Sequence, residues 1–249
     1  MRLRRHASEA GAGAGATTVS PTETSIRLED VSVTFGETSV LREVNLEVDV
    51  RRLAVIGANG SGKSTFARLL NGLVIPTAGC VRVHGLDPVT QRAAVRRQVG
   101  FVFSSPDAQI LMPTVAEDVA LSLRSSAVSA EQQRQRVAQV LTEYGLADLA
   151  DAPAYTLSGG QKQLLALASV LVTDPRVVAA DEPTTLLDLG NARRISNLLL
   201  EEIDAQLVLV THDLELAERC DLAVLFDRGR LLAVDDPASV VSHYRRMHS

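Results

Sequence analysis

Residues 57–64 read Gly-Ala-Asn-Gly-Ser-Gly-Lys-Ser, and they lie between a compact apolar run, Leu53 to Ile56, and a helix-forming stretch, Lys63 to Asn71. The order strand, loop, helix is what makes the pattern informative. Without side chains at Gly57, Gly60 and Gly62 the backbone can close around a ligand. Ala58, Asn59 and Ser61 add further N–H groups, and the helix that begins at Gly62 brings its positive end to the same spot. Such a loop cradles phosphate. Lys63 would neutralise β- and γ-phosphate oxygens, and the Ser64 hydroxyl, with Thr65 beside it, would offer a ligand to Mg²⁺.

The flanking sequence supplies the sheet that such a loop needs. From Ser25 onward, Ile26, Leu28, Val31 and Val33 alternate imperfectly with polar residues, and Val44, Leu46, Val48 and Val50 share one face of a second strand. After Val81, Val83 and the run Val99 to Phe103, the character turns helical from Ala108 to about Leu149. There Val137, Val140, Leu141 and Tyr144 recur at helical spacing. A helical subdomain inserted over about residues 108–157 is expected. Val177 to Ala180 and Leu207 to Val210 read as buried parallel strands. Leu222 to Phe226 and Arg230 to Val234, joined through Asp227, Arg228 and Gly229, read as a terminal hairpin. A chain of 249 residues then holds one large α/β domain over residues 25–249. Residues 1–24, with Arg2, Arg4 and Arg5 followed by the small-residue run Ala10 to Ala16, lack the apolar segment of a secretory signal and are expected to be a disordered tail, or the result of a start codon assigned too early.

Composition removes several function classes. The longest apolar stretch, Leu164 to Val172, is interrupted by Ser169 and falls far short of the roughly 18 residues of a membrane span. A soluble protein is expected, with any membrane role exerted through a partner. The net charge is −5 and the only lysines are Lys63 and Lys162, so no basic face marks a nucleic-acid partner. Cys80 and Cys220 match neither a metal-ligand spacing nor a disulfide framework, and both are expected to be free and buried.

Three further segments carry chemistry. Leu157-Ser158-Gly159-Gly160-Gln161 precedes a long helical stretch, Lys162 to Val172, which sets Ser158 and the two glycine amides at a helix N-terminus and makes a second anion site. Alone it could equally be an ordinary serine cap. Val177 to Ala180 delivers two adjacent carboxylates, Asp181 and Glu182, to the strand end where open α/β sheets bind ligands. Asp181, facing the glycine loop, would hold Mg²⁺; Glu182 would orient and deprotonate an attacking water. Thr211-His212-Asp213 follows the next apolar strand, and the His212 imidazole can donate to the γ-phosphate or the water.

The conjunction of Gly57 to Ser64, Leu157 to Gln161, Asp181-Glu182 and His212, in that order, resembles the nucleotide-binding subunit of ATP-binding-cassette transporters from about Ser25 to the C-terminus. The resemblance implies a P-loop NTPase core with a mixed sheet, an N-terminal antiparallel β subdomain and an inserted α-helical subdomain. It implies ATP and Mg²⁺ at the site, Phe35 stacked on adenine, and Thr185 to Asp188 as a loop linking two sites. It also implies a head-to-tail dimer, with a second copy or a related ATPase subunit, in which the glycine loop of one chain and Ser158 to Gln161 of the other enclose each ATP. Integral membrane subunits would complete the transporter, with this chain at the cytoplasmic face of the membrane.

The stretch Val99 to Ile110, with Pro106-Asp107-Ala108-Gln109 at its end, and a chain that closes soon after Pro237 resemble the energy-coupling-factor branch, importers of vitamins and transition-metal ions. Leu111-Met112-Pro113-Thr114 inclines the resemblance to biotin-type members, with cobalt or nickel next. One position departs from the pattern. Ser104 stands where most of the family has a glutamine that ligates Mg²⁺, and its short hydroxyl is expected to reach the metal through a water, with looser coupling. A soluble cassette ATPase acting on ribosomes or DNA shares every ATP-site motif; a nucleotide kinase or GTPase has no use for Leu157 to Gln161.

Overall fold

The computed structural model describes residues 25–124 and 128–248; the expected tail over residues 1–24 lies outside them. The chain opens with β1 (Ile26–Phe35) and β2 (Thr38–Val48), then β3 (Arg52–Gly57), α1 (Lys63–Leu70) and β4 (Ala78–Val83). β1 pairs antiparallel with both β2 and β4, giving a three-stranded sheet in the order β2-β1-β4. β2 begins earlier than the run Val44 to Val50 suggests. A tight turn joins Phe35 to its partner Thr38, and register shifts in β1 and a positive φ at Glu43 break the two-residue alternation over that part of the strand. Val44, Leu46 and Val48 are buried as expected, whereas Val50 lies beyond the strand and is half-buried.

After α2 (Arg92–Gln98) and β5 (Val99–Val102) comes a helical stretch, interrupted several times: a 3₁₀ turn at Pro106–Ala108, α3 (Val115–Leu121), α4 (Ala130–Glu143) and α5 (Gly159–Leu171). The breaks fall where capping boxes start new helices. Thr114 accepts from the Glu117 N–H while Glu117 reaches back to Thr114, and Ser129 and Gln132 form the same reciprocal pair. Val137, Val140 and Leu141 are the buried stripe of α4, with Tyr144 just beyond its end.

The second half carries β6 (Val177–Asp181), α6 (Leu189–Asn197), β7 (Gln206–Val210), α7 (Leu214–Ala217), the hairpin β8 (Leu222–Asp227) and β9 (Arg230–Asp235), and α8 (Pro237–Met247). The larger sheet runs β5-β6-β7-β3-β8-β9, parallel except for β9. Its inner strands are apolar throughout because both faces are covered. Ala54, Ile56, Val178, Ala180, Leu207 and Leu209 point into one apolar cluster, and Leu53, Val55, Val177, Ala179, Val208 and Val210 into the other. The first cluster continues into α3, α4 and α5, so the helical stretch shares the main core. This is the mixed α/β architecture the motifs imply.

The expectation for the cysteines is half corrected. Both are free, but only Cys220 is buried; Cys80 is exposed. β4 buries Val81 and Val83 and turns the alternate positions, Cys80 and Arg82, outward. No helix among the described residues is long and apolar enough to cross a membrane.

Candidate functional site

Because β5, β6, β7 and β3 are parallel neighbours, their carboxyl ends form one edge, and the motif residues follow those ends directly. Gly57 closes β3 and opens the glycine loop. Its φ of +147° suits glycine, and a Cβ there would stand 2.1 Å from the Phe226 carbonyl oxygen of β8. Gly62, at φ +106°, begins α1, and a Cβ on it would meet Leu41 at 2.6 Å. Gly57 is held to glycine by the backbone of β8, and Gly62 by its positive φ and the close approach of Leu41 and the Val40 carbonyl.

Within that loop Lys63 is buried, and its Nζ donates to the carbonyls of Gly57 at 2.8 Å and Ala58 at 3.0 Å. Burial holds its pKa below the ordinary lysine value, against the opposing pull of Glu182 and Asp181. An arriving phosphate would replace the two carbonyls as the partner of the Lys63 ammonium. The Ser64 hydroxyl donates to Asp181 Oδ1 at 2.8 Å across the gap between α1 and β6. Asp181 is buried, and its second oxygen lies 3.6 Å from the Arg68 guanidinium. Ser61 Oγ is buried and without a partner among the described residues.

Glu182 sits just past β6 at φ +53°, its N–H held by the Val210 carbonyl at 2.9 Å. Its Oε2 lies 2.6 Å from His212 Nδ1, and the backbone N–H of His212 donates to the same oxygen at 3.3 Å. The positive φ turns the Glu182 carboxylate toward the next strand end rather than along its own, and pairs it with the imidazole. Thr211, buried, holds the turn by accepting from the Asp213 N–H at 3.0 Å. Ser104 is exposed in the bend after β5, whose Val102 pairs with Ala180, so it stands one strand over from Asp181. Phe35 is 54% exposed at the end of β1, on the surface rather than in the core.

Ser158 to Gln161 lies elsewhere. Ser158 caps α5 in a reciprocal box, with Gln161 N–H donating to Ser158 Oγ at 3.3 Å and Ser158 N–H donating to Gln161 Oε1 at 2.9 Å. Ser158 and Gly159 are exposed. Among the described residues no hydrogen bond or ion pair joins this tip to the glycine loop. Asp188 caps α6 and, like Leu186 before it, belongs to an exposed turn; Leu186 is 97% exposed. One polypeptide thus presents a glycine loop beside its acidic and imidazole groups, and separately a capped helix tip.

The ABC transporter family model matches residues 41–185. The chain belongs to the ABC transporter family. It is 40% identical over 222 residues to the biotin transport ATP-binding protein BioM of Rhizobium etli, covering 89% of this chain and 98% of that one. Its fold matches cbiO1 from Clostridium perfringens, part of the ABC transporter complex cbiONQ, with a TM-score of 0.78 at 29% identity over 90% of this chain and 92% of that one. It also matches the ATP-binding cassette MJ0796, solved as a post-hydrolysis dimer bound to ADP and Pi, with a TM-score of 0.75 at 30% identity over 85% and 98% of the two chains. The chain is an ATP-binding, ATP-hydrolysing subunit of an ABC transporter, a family whose ATPases work as dimers with membrane subunits.

Two features of this ABC ATPase escaped the motif reading. Arg68 reaches Asp181 from α1, and the signal was present: Ser64 and Arg68 are four apart and share a helix face. Gln109 spans the turn after β5, accepting from the Phe103 N–H at 3.2 Å and donating to the Ala166 carbonyl of α5 at 2.9 Å, while Asp107 pairs with Lys162 at 2.7 Å. The Pro106–Ala108 turn is therefore bolted to α5. No local pattern announces a contact across 57 residues.

Proposed function

We propose that this chain powers an importer of the energy-coupling-factor kind from the cytoplasmic face of the membrane, as a homodimer in which each ATP is enclosed by the glycine loop of one copy and the Ser158 to Gln161 tip of the other. The observation that carries the reading is the separation of these two anion-binding elements within one polypeptide, each fully built and neither bonded to the other. A second copy, turned head to tail, closes both sites at once. Nucleotide then holds the two halves together, and loss of the γ-phosphate removes the link.

Gly57 to Thr65 bind the phosphates, Lys63 compensates their charge, and exposed Phe35 offers its face to the adenine. The Ser64 hydroxyl and the Asp181 carboxylate, 2.8 Å apart, are hard oxygen donors that fit a magnesium ion, which holds few protein ligands and takes the rest from phosphate and water. Bound there, Mg²⁺ supplies neutralisation of the charge on the β- and γ-phosphate oxygens. Glu182, freed from or shared with His212, takes the proton of the attacking water, and the imidazole holds the carboxylate aimed across the site. Ser104, with its shorter reach, would contribute to a bound metal only through a water, and hydrolysis would persist with looser coupling. Exposed Leu111 and Tyr155 flank the bolted Pro106–Ala108 turn and form the face offered to the membrane subunits.

Biotin is the favoured cargo, on the likeness to BioM and the Leu111 to Thr114 stretch, with transition-metal ions next. The test has two levels. Glu182→Gln incubated with ATP and run on gel filtration should elute as a dimer; a persistent monomer removes the composite pocket. Co-expression with candidate membrane subunits should then give ATP-dependent uptake of labelled biotin, and uptake of labelled cobalt in its place would reassign the cargo.

A further inference from the structure

α6 starts directly after the Thr185 to Asp188 loop, yet one of its faces rests on the inserted helices. Asp188 caps it, accepting from the Asn191 N–H at 3.0 Å and from Asn191 Nδ2 at 2.6 Å. The Asn191 amide lies over Gly160 of the α5 tip so closely that a Cβ on Gly160 would stand 2.3 Å from Asn191 Cγ and 2.4 Å from its Oδ1. Three residues on, and so on the same face, Arg194 Nη2 donates to the Tyr144 carbonyl at the end of α4 at 2.9 Å. A Cβ on Gly145 would sit 2.9 Å from that same nitrogen. Two glycines thus admit two side chains of α6 to the ends of two helices of the insertion.

The loop ahead of α6 needs such support. Leu186 is almost fully exposed at φ +66°, and Leu189 is 67% exposed, so packing of its own does little to place it. What α6 provides is a rigid path from Asp188 through Asn191 to Gly160, backed by Arg194 on Tyr144. We propose that Asn191 and Arg194 are positioning residues that lock the Ser158 to Gln161 tip to the Thr185 to Asp188 loop, so that the two elements one protomer presents to its partner meet it as one preformed surface. The proposal rests on the composite-pocket reading above. Its energetic logic is preorganisation: two independently mobile elements must each be ordered on association, and a strut between them is ordered in advance.

The test is made in the Glu182→Gln protein, in which the ATP-bound dimer should accumulate. Asn191→Ala and Arg194→Met are compared with their parent by sedimentation across a series of protein concentrations with ATP. Equilibrium dialysis with labelled ATP, at concentrations too low for dimerisation, reads the cradle alone. Each variant should need about tenfold more protein to dimerise, the cost of ordering on association a side chain or two that the strut had fixed in advance, while ATP affinity of the monomer stays within about twofold. Arg194→Lys, which keeps a donor for the Tyr144 carbonyl, should recover most of the loss. Dimerisation unchanged in both variants overturns the proposal. So does a fall in monomer affinity as large as the fall in dimerisation, or an Arg194→Lys as poor as Arg194→Met, since either reports general damage rather than lost positioning. If the parent itself fails to dimerise with ATP, the composite pocket falls, and the strut with it, before any variant is compared.

Discussion

Gly57→Ala tests the claim that the cradle depends on bare backbone. Gly57 pairs with Phe226 in the register of β3 and β8, and the new Cβ would stand 2.1 Å from the Phe226 carbonyl oxygen, 3.1 Å from its carbon and 2.8 Å from Ser61 Oγ. Ordinary carbon–oxygen contacts lie near 3.3 Å, so the strands must part by about 1.2 Å. The two Phe226 atoms are backbone and cannot swing aside, whereas the Ser61 hydroxyl can rotate away. Phe226 also packs on Phe66 with ring centroids 5.2 Å apart, and a shift of β8 disturbs that pair. Forcing alanine to φ +147° costs about 1–3 kcal/mol, a weakened ladder hydrogen bond about 1, and the displaced packing about 1–3. Together they amount to roughly 3–7 kcal/mol, or a melting temperature lower by roughly 6–28 °C at 2–4 °C per kcal/mol. Calorimetry or circular dichroism is the assay of choice, because the chain has no tryptophan to report by fluorescence. Gly60→Ala is the control: nothing lies within 4 Å of its Cβ, and at φ +76° only a left-handed backbone penalty of about 1 kcal/mol applies. A Gly57→Ala protein that melts within 2 °C of the parent, or a Gly60→Ala protein that is destabilised as much, would refute the steric argument.

Arg52 is the buried cation farthest from the chemistry. Its guanidinium donates to the carbonyls of Leu200, Ile203 and Ala205 at 3.0, 2.7 and 2.8 Å, closing the turn between α6 and β7, and Arg52→Met should lower the urea unfolding free energy by about 2–4 kcal/mol with little change in KM for ATP; a loss below 1 would show those carbonyls to be satisfied otherwise. Burial pushes the Cys220 thiol up to about 12, so at pH 8 Ellman's reagent should find one reactive thiol per native chain, the exposed Cys80, and two after denaturation. The same shift has a sign in stability. Below the ordinary thiol value of 9.0 both states hold the proton and nothing is lost, but from there toward 12 only the unfolded chain releases it, so stability falls by about 1.4 kcal/mol per pH unit. Tyr144, raised from 10.0 to about 12 by burial, acts in the same direction, and Cys220→Ala should flatten the alkaline slope measured by calorimetry; an unchanged slope would assign it all to other groups.

What could be read in the sequence, and what could not, divides along the distance over which each feature is decided. The strand, loop and helix around Gly57 to Ser64, the carboxylates at the end of β6 and the imidazole at the end of β7 are each set by a few consecutive residues, and the parallel sheet then brings their strand ends to one edge without further instruction. The Ser158 cap is equally local, since Ser158 and Gln161 form its capping box within one turn. The outward face of Cys80 is legible too, since it precedes Val81 in a strand that buries Val81 and Val83 on the opposite face. Nothing local distinguishes Asn191 from any polar residue on an amphipathic helix, or Gly160 from a flexible entry to α5. Their relation exists only after α6 has docked against the inserted helices, so the glycine looks permissive in sequence and proves obligatory in space. Ser104 is the converse case: its chain position identifies it at once, and its consequence depends on oxygen atoms that only bound nucleotide and metal can supply. The motif segments are therefore written in a few consecutive residues each, while contacts such as Asn191 on Gly160 and Gln109 on Ala166 join segments that no local pattern links.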